Sequence, residues 1–167
     1  LLKVGGMPLM AYRLPPGRVI KGVASRLNIP MRYERFKSAG DGMMALDAHL
    51  QQGRPVGLQA SVFWLPYFPE DMRFHFNAHN MLVYSKQGDQ YQISDPVLEF
   101  PVETDAAALQ KARFAKGALA ANGLMYWLES TPATVDMPQA IRKAILANAR
   151  MMLKTPLPII GIRGIRF

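Results

Sequence analysis

The sequence predicts an α+β domain in which an antiparallel sheet packs against helices. Residues 74–96 (FHFNAHNMLVYSKQGDQYQISDP) hold two β-prone runs around Gly88-Asp89, the pattern of a hairpin. Residues 55–63 (PVGLQASVF) are apolar and β-prone, as a buried central strand would be. Elsewhere apolar residues recur at helical spacing, most clearly within residues 19–27, 43–50 and 137–154.

Taken in order, Pro15-Pro16-Gly17 predicts a turn, and Val19, Ile20, Val23, Ala24 and Leu27 then share one face of a short helix that Asn28 and Pro30 end. Residues 31–36 alternate as a strand, with Tyr33 and Arg35 opposed to Arg32 and Glu34. Asp41 is placed to cap a second helix in which Met43, Leu46, Asp47 and Leu50 face one way, and Gly53 closes it. After the central strand, residues 65–69 (LPYFP) read as a rigid loop leading toward the histidines. Beyond the hairpin, Thr104 or Asp105 caps an alanine-rich helix to about residue 116. Residues 123–129 read as one more strand. Asp136 then caps the longest helix, to about residue 154, with Ile141, Ala144, Ile145 and Met152 inward and Arg142, Lys143, Arg150 and Lys154 outward.

Composition narrows the classes. A chain of 167 residues, half of it apolar, suits a globular domain with its own core. No apolar run is long enough to span a bilayer, and no segment reads as a signal peptide, so cytoplasm is the default location. Cysteine is absent, which excludes disulfides and thiolate metal sites within these residues. A net charge of +8 and a pI of about 10.0 favour acidic partners. The basic residues are spread along the chain with no aromatic-interleaved basic motif, which argues against nucleic acid. The end of the chain (PLPIIGIRGIRF) is apolar and basic, a surface that something should cover, with homo-oligomer formation one way to do it.

The hairpin carries the candidate chemistry. His79 opens its first strand and Asp95 ends the second, where Pro96 cannot donate a ladder hydrogen bond. Antiparallel pairing about Gly88 brings both to the same end of the ladder, and an imidazole in acid-base work needs such a carboxylate. Either residue alone would read as ordinary, a half-buried histidine and a turn aspartate. His75 lies four residues before His79, but the segment is loop and strand rather than helix and has no third ligand, so no metal is expected. Trp64, Tyr67 and Phe68 stand beside the pair in sequence as candidate pocket lining. His49 receives no role, and Met43, Met44, Met151 and Met152 read as packing material.

The order of these pieces resembles a papain-like cysteine enzyme. More narrowly, it resembles the butirosin biosynthesis protein H N-terminal domain family, relatives of the bacteriocin-processing cysteine peptidases. The matching pieces are Gly53-Arg54-Pro55-Val56 entering a strand, Leu65-Pro66-Tyr67, His79 opening HNMLVY, Ser94-Asp95-Pro96 and Lys111-Ala112-Arg113. Residues 142–164, a basic helix, a proline and GIRGI, resemble the segment that follows that domain. The likeness covers about two thirds of the chain, and order and spacing rather than any one motif carry it.

The resemblance implies a Cys-His-Asp enzyme that moves an acyl group from the phosphopantetheine thioester of an acyl carrier protein to an amine or hydroxyl of a small-molecule acceptor, with no other cofactor. His79 would be the base and Asp95 its orienting partner, with Ser61, Trp64, Tyr67 and His75 on the substrate side. The family cysteine precedes the residues that match here, and the chain opens without methionine on LLKVGGMPLM, which reads like a domain interior. An upstream segment carrying the cysteine is therefore expected. On this reading residues 1–130 form the papain-like domain without its nucleophile segment. Residues 131–167 form a basic helix and apolar tail packed on that domain.

The family also tends to place aspartate where Ser61 stands, four residues before its LPY. Ser25, Ser61 and Ser130 are the alternative hydroxyls, none of them at a nucleophile elbow. A peptidase or amide hydrolase of the same superfamily, a non-catalytic module that binds a small molecule or carrier protein, and a basic interaction module are the other readings.

Overall fold

The computed structural model describes residues 3–4, 7–8, 16–131, 134–154 and 161–162. In chain order these form strands Lys3–Val4 (β1) and Met7–Pro8 (β2), helix Pro16–Arg26 (α1), strand Met31–Glu34 (β3) and helix Ala39–Gln51 (α2). Strands Val56–Ala60 (β4), His79–Gln87 (β5), Gln90–Ser94 (β6) and Val102–Asp105 (β7) follow, then helix Ala106–Arg113 (α3), strand Met125–Leu128 (β8) and helix Met137–Lys154 (α4). Two 3₁₀ turns, Val62–Trp64 and Glu70–Met72, interrupt the link between β4 and β5. The chain divides into two compact units, Met31–Glu129 and Leu1–Pro30 together with Ser130–Phe167.

The unit Met31–Glu129 is built on a six-stranded sheet in the order β3-β8-β4-β5-β6-β7 with every neighbouring pair antiparallel. The α+β class expected from the sequence holds. β4 is buried at all five positions, as its continuous apolar character demands for a central strand. Val56, Leu58 and Ala60 stand opposite Val83, Met81 and His79 of β5, and they join Ile93, Leu46 of α2 and Leu109 and Ala112 of α3 in one core. Burial alternates through the start of β5: His79, Met81 and Val83 are buried, Leu82 and Tyr84 are exposed, and Ser85, past the bulge, is intermediate. The turn between β5 and β6 is Gly88-Asp89, with Gly88 at φ +58°, a conformation that costs glycine nothing. A bulge between Val83 and Ser85 shifts the register by one residue toward this turn, leaving the end that carries His79 regularly paired.

Gly57 of β4 has a steric reason to be glycine. It pairs with Tyr126 of β8, whose ring lies across it, so that an added Cβ would fall among the ring atoms. Gly57→Ala is expected to lower unfolding free energy by about 1–3 kcal/mol through overpacking. A urea titration with an unchanged slope and a lower midpoint checks this, and an unmoved midpoint would refute it.

Several local expectations are corrected. Ser38, not Asp41, caps α2: its Oγ accepts the Asp41 N–H at 3.3 Å, so Asp41 occupies the third helical position, where a carboxylate still suits the helix dipole. Of the two caps expected for α3, Asp105 serves, accepting the Ala108 N–H at 2.8 Å, but the helix ends at Arg113, three residues early, as the backbone turns toward a loop with Gly117 at φ +111°. β7 is an addition to the expected elements: Val102–Asp105 is short and becomes a strand through its pairing with β6.

In the unit Leu1–Pro30 with Ser130–Phe167, β1 pairs with β2 and α1 packs against α4. Asp136 caps α4 as expected, accepting the Gln139 N–H at 2.9 Å. The face of Ile141, Ile145 and Met152 is exposed rather than inward. Ala140 is the buried position of α4, and the 11 residues of α1 cannot cover a helix of 18. Pro15 and the apolar tail, apart from Gly161 and Ile162, lie outside the described residues, as does most of the opening LLKVGGMPLM.

Candidate active site

The ladder rules that shape the hairpin also build the site. β5 begins at His79, opposite Ala60 at the end of β4, so the imidazole lies on the core face where these two central strands meet the connecting loop. Leu82 pairs with Ser94, and continuing that register by one residue sets Asp95 beside Met81, on the same face and diagonal to His79. His79 Nε2 lies 2.6 Å from Asp95 Oδ2, and the two side chains are 10% and 0% exposed.

Asp95 is clamped by its surroundings. Pro96 halts the ladder, and the chain folds back so that the Val97 N–H donates to Oδ1 at 3.0 Å. The Tyr67 hydroxyl donates to Oδ2 at 2.9 Å, the same oxygen that faces His79. Burial, the largest influence, pushes the Asp95 carboxyl up. The hydrogen bonds from His79, Val97 and Tyr67, with the imidazole's charge, outweigh burial and hold the group below the usual carboxylate range. An ionised carboxylate can only accept, so Nε2 carries a proton, and in the neutral form of the imidazole Nδ1 presents its lone pair. Nδ1 has no hydrogen-bond partner among the described residues. The Phe68 ring meets the imidazole edge-on at 5.6 Å, an apolar wall that limits the ring's rotation.

The remaining candidates separate into two groups. Tyr67 joins the pair, with its hydroxyl also 3.4 Å from Met81 Sδ, and burial followed by the nearby Asp95 charge pushes its ionisation far above the usual phenol range. Trp64 and His75 make no hydrogen bond or ring contact with His79 or Asp95. Trp64 packs edge-on to Phe63 at 5.0 Å beneath the Lys111 ammonium, and His75 stacks on Phe63 at 4.0 Å. A depression of about 360 Å³ lies beside them, lined by Phe63, Trp64, Pro66, Glu70 and Arg73. Ser61 is fully buried, its N–H donates to the Ala112 carbonyl at 2.8 Å, and its Oγ has no partner among the described residues.

Val97, whose N–H holds Oδ1, is signalled in the sequence only by the Asp-Pro-Val turn. Among the described residues no group of three or more His, Asp or Glu is placed to hold a metal, and no helix is long and apolar enough to cross a membrane.

Comparison with known proteins follows the same lines. The family described as butirosin biosynthesis protein H, N-terminal, matches residues 1–96, the span that holds Tyr67, His79 and Asp95. A domain of unknown function (DUF4872) matches residues 107–167. No curated protein matches. The crystal structure of a Bacillus anthracis protein described as a C39-like peptidase is similar at a TM-score of 0.44 and 15% identity, over 65% of this chain. The chain spans 56% of that protein's length. With more than half of its residues matched, the chain belongs to the butirosin biosynthesis protein H N-terminal family, the family that its sequence resembles.

Proposed function

We propose that His79 and Asp95 are the acid-base half of a thiol acyltransferase, with the nucleophilic cysteine supplied by residues other than these 167. The observation that supports this reading is the 2.6 Å pairing of Nε2 with a buried carboxylate, which leaves the Nδ1 lone pair uncommitted. In the proposed cycle Nδ1 takes the thiol proton as the sulfur attacks the thioester carbonyl of an acyl carrier protein. The carrier's sulfur then leaves with that proton, and the acyl group remains on the cysteine. Nδ1 next takes a proton from the incoming amine or hydroxyl as it bonds to the acyl carbon, the bond between that carbon and the cysteine sulfur breaks, and the thiol recovers the proton. Throughout, Asp95 holds Nε2–H in place and balances the transient imidazolium.

The net charge of +8 favours docking of an acidic carrier protein, and a cytoplasmic setting belongs to the same proposal. Water as the acceptor would make the same site an amide or thioester hydrolase. The reading is tested by incubating the full-length gene product with acyl-loaded carrier protein and measuring its intact mass. An adduct of the acyl mass on one cysteine, lost on substituting that cysteine, is the expected result. The absence of cysteine from these residues favours a second reading, a non-catalytic module that binds a small molecule or carrier protein. A full-length reading frame without cysteine would end the first and favour the second.

A further inference from the structure

Tyr67 stands in the sequence as a substrate contact, but its hydroxyl is already committed. It donates to Asp95 Oδ2 at 2.9 Å, and His79 Nε2–H donates to the same oxygen at 2.6 Å. The other carboxylate oxygen accepts the Val97 N–H at 3.0 Å. Asp95 therefore meets three donors, from β5, from the loop after β4 and from its own turn, and no second carboxylate or other charged side chain contacts it among the described residues.

The phenol is held rigidly in its turn. Leu65 and Phe68 on either side are buried, the Phe68 N–H donates to the Leu65 carbonyl at 3.2 Å, and Arg73 Nε caps the Phe68 carbonyl at 2.8 Å. The two aromatic neighbours divide the work: Phe68 walls the imidazole, and Tyr67 reaches past it to the carboxylate.

We infer that Tyr67 is a positioning residue for the His79–Asp95 pair: its hydroxyl fixes the rotation of the carboxylate and shares Oδ2 with the imidazole. The inference rests on the proposed catalytic reading of that pair. Two consequences follow from the geometry. Without the hydroxyl, only Nε2 and Val97 N–H restrain Asp95, so the carboxylate gains freedom to turn away from the line of the Nε2–H bond. A donor that stabilises the anion is also lost, so the carboxyl becomes easier to protonate.

The test replaces the hydroxyl alone, as Tyr67→Phe in the full-length gene product, and has two readouts. The titration of Asp95, followed by carbon NMR of its carboxyl, is expected to move to higher pH than in the parent protein. Turnover is expected to fall about tenfold with KM unchanged, the size of one lost hydrogen bond to a charged group. A rise in KM with turnover intact would overturn the inference in favour of substrate contact, and so would an Asp95 titration that does not move. Should Tyr67→Phe fail to fold, uniform replacement of tyrosine by 3-fluorotyrosine makes the phenol a stronger donor and is expected to move the titration the opposite way. No movement on fluorination likewise overturns the inference. A moved titration combined with normal activity in His79→Ala would remove the catalytic reading of the pair and leave the Tyr67–Asp95 coupling standing.

Discussion

Asp95→Asn is expected to lower turnover in the full-length gene product by about four orders of magnitude with the fold retained, on the proposed chemistry. The surroundings of the carboxylate dictate the outcome. Val97 N–H points at Oδ1, so the new amide NH2 cannot face it without opposing two donors. The NH2 is therefore directed to the Oδ2 position, where it meets Tyr67 and His79. Tyr67 can turn its hydroxyl to accept, but the imidazole must move its proton from Nε2 to Nδ1. The nitrogen assigned as base then carries a proton and cannot take one from a thiol. Nitrogen NMR of the imidazole should report this change of tautomer, alongside steady-state rates. A loss of less than tenfold, or an unchanged tautomer, would count against Asp95 as the orienting group.

The same substitution has a signature in stability. The Asp95 carboxyl titrates below its ordinary value of 3.8 in the folded protein. A depressed carboxyl contributes stability that is present above the unfolded value and lost as pH falls through the folded one. The parent protein should therefore lose this contribution on acidification below about pH 4, whereas Asp95→Asn should show no such acid-side loss. Unfolding free energies measured from neutral pH down to about pH 3 compare the two directly.

The second large effect is expected far from the candidate site. Arg113→Ala should destabilise the protein by about 3–5 kcal/mol, which combines a side-chain cavity with unpaired buried carbonyls. The Arg113 side chain is fully buried and forms no ion pair among the described residues. Nη1 donates to the Gly42 carbonyl at 2.8 Å and reaches Met43 Sδ at 3.3 Å, Nη2 donates to the Gly123 carbonyl at 3.3 Å and reaches Met125 Sδ at 3.9 Å, and Nε is left without a partner. Burial pushes the guanidinium down to about 10, so it stays charged at neutral pH. It ties the first turn of α2 to the loop before β8, and the Phe114 ring beside it fits only because positions 42 and 123 lack a Cβ. Arg113→Lys should recover only part of the loss, since one ammonium cannot reproduce the spread of the guanidinium fork. Denaturant midpoints for both variants check the order, and an Arg113→Ala protein as stable as the parent would refute it.

The sequence reached the hairpin and its pair because both follow from short-range rules. Alternation through β5, glycine at the turn and proline after Asp95 set the register, and register alone decides that positions 79 and 95 share a face. Strand β4 and the capped helix α4 were legible for the same reason: periodicity and caps act within a few residues. Other errors were local ambiguities settled by geometry, as when Ser38 rather than Asp41 took the cap, or when β7 formed only by joining β6.

What the amino-acid order determined by itself, then, was the α+β class, the central strand and the meeting of His79 with Asp95. Tertiary structure decided that Tyr67 serves the carboxylate, that Trp64 and His75 gather around Phe63 instead, that Arg113 is a core residue and that the apolar arc of α4 is exposed. The hydroxyl of Tyr67 and its acceptor are 28 residues apart, and Arg113 and the Gly42 carbonyl are 71 apart. Local patterns specify which face a side chain takes on its own element. Which distant element meets that face depends on how the whole core packs, and no local pattern carries that information.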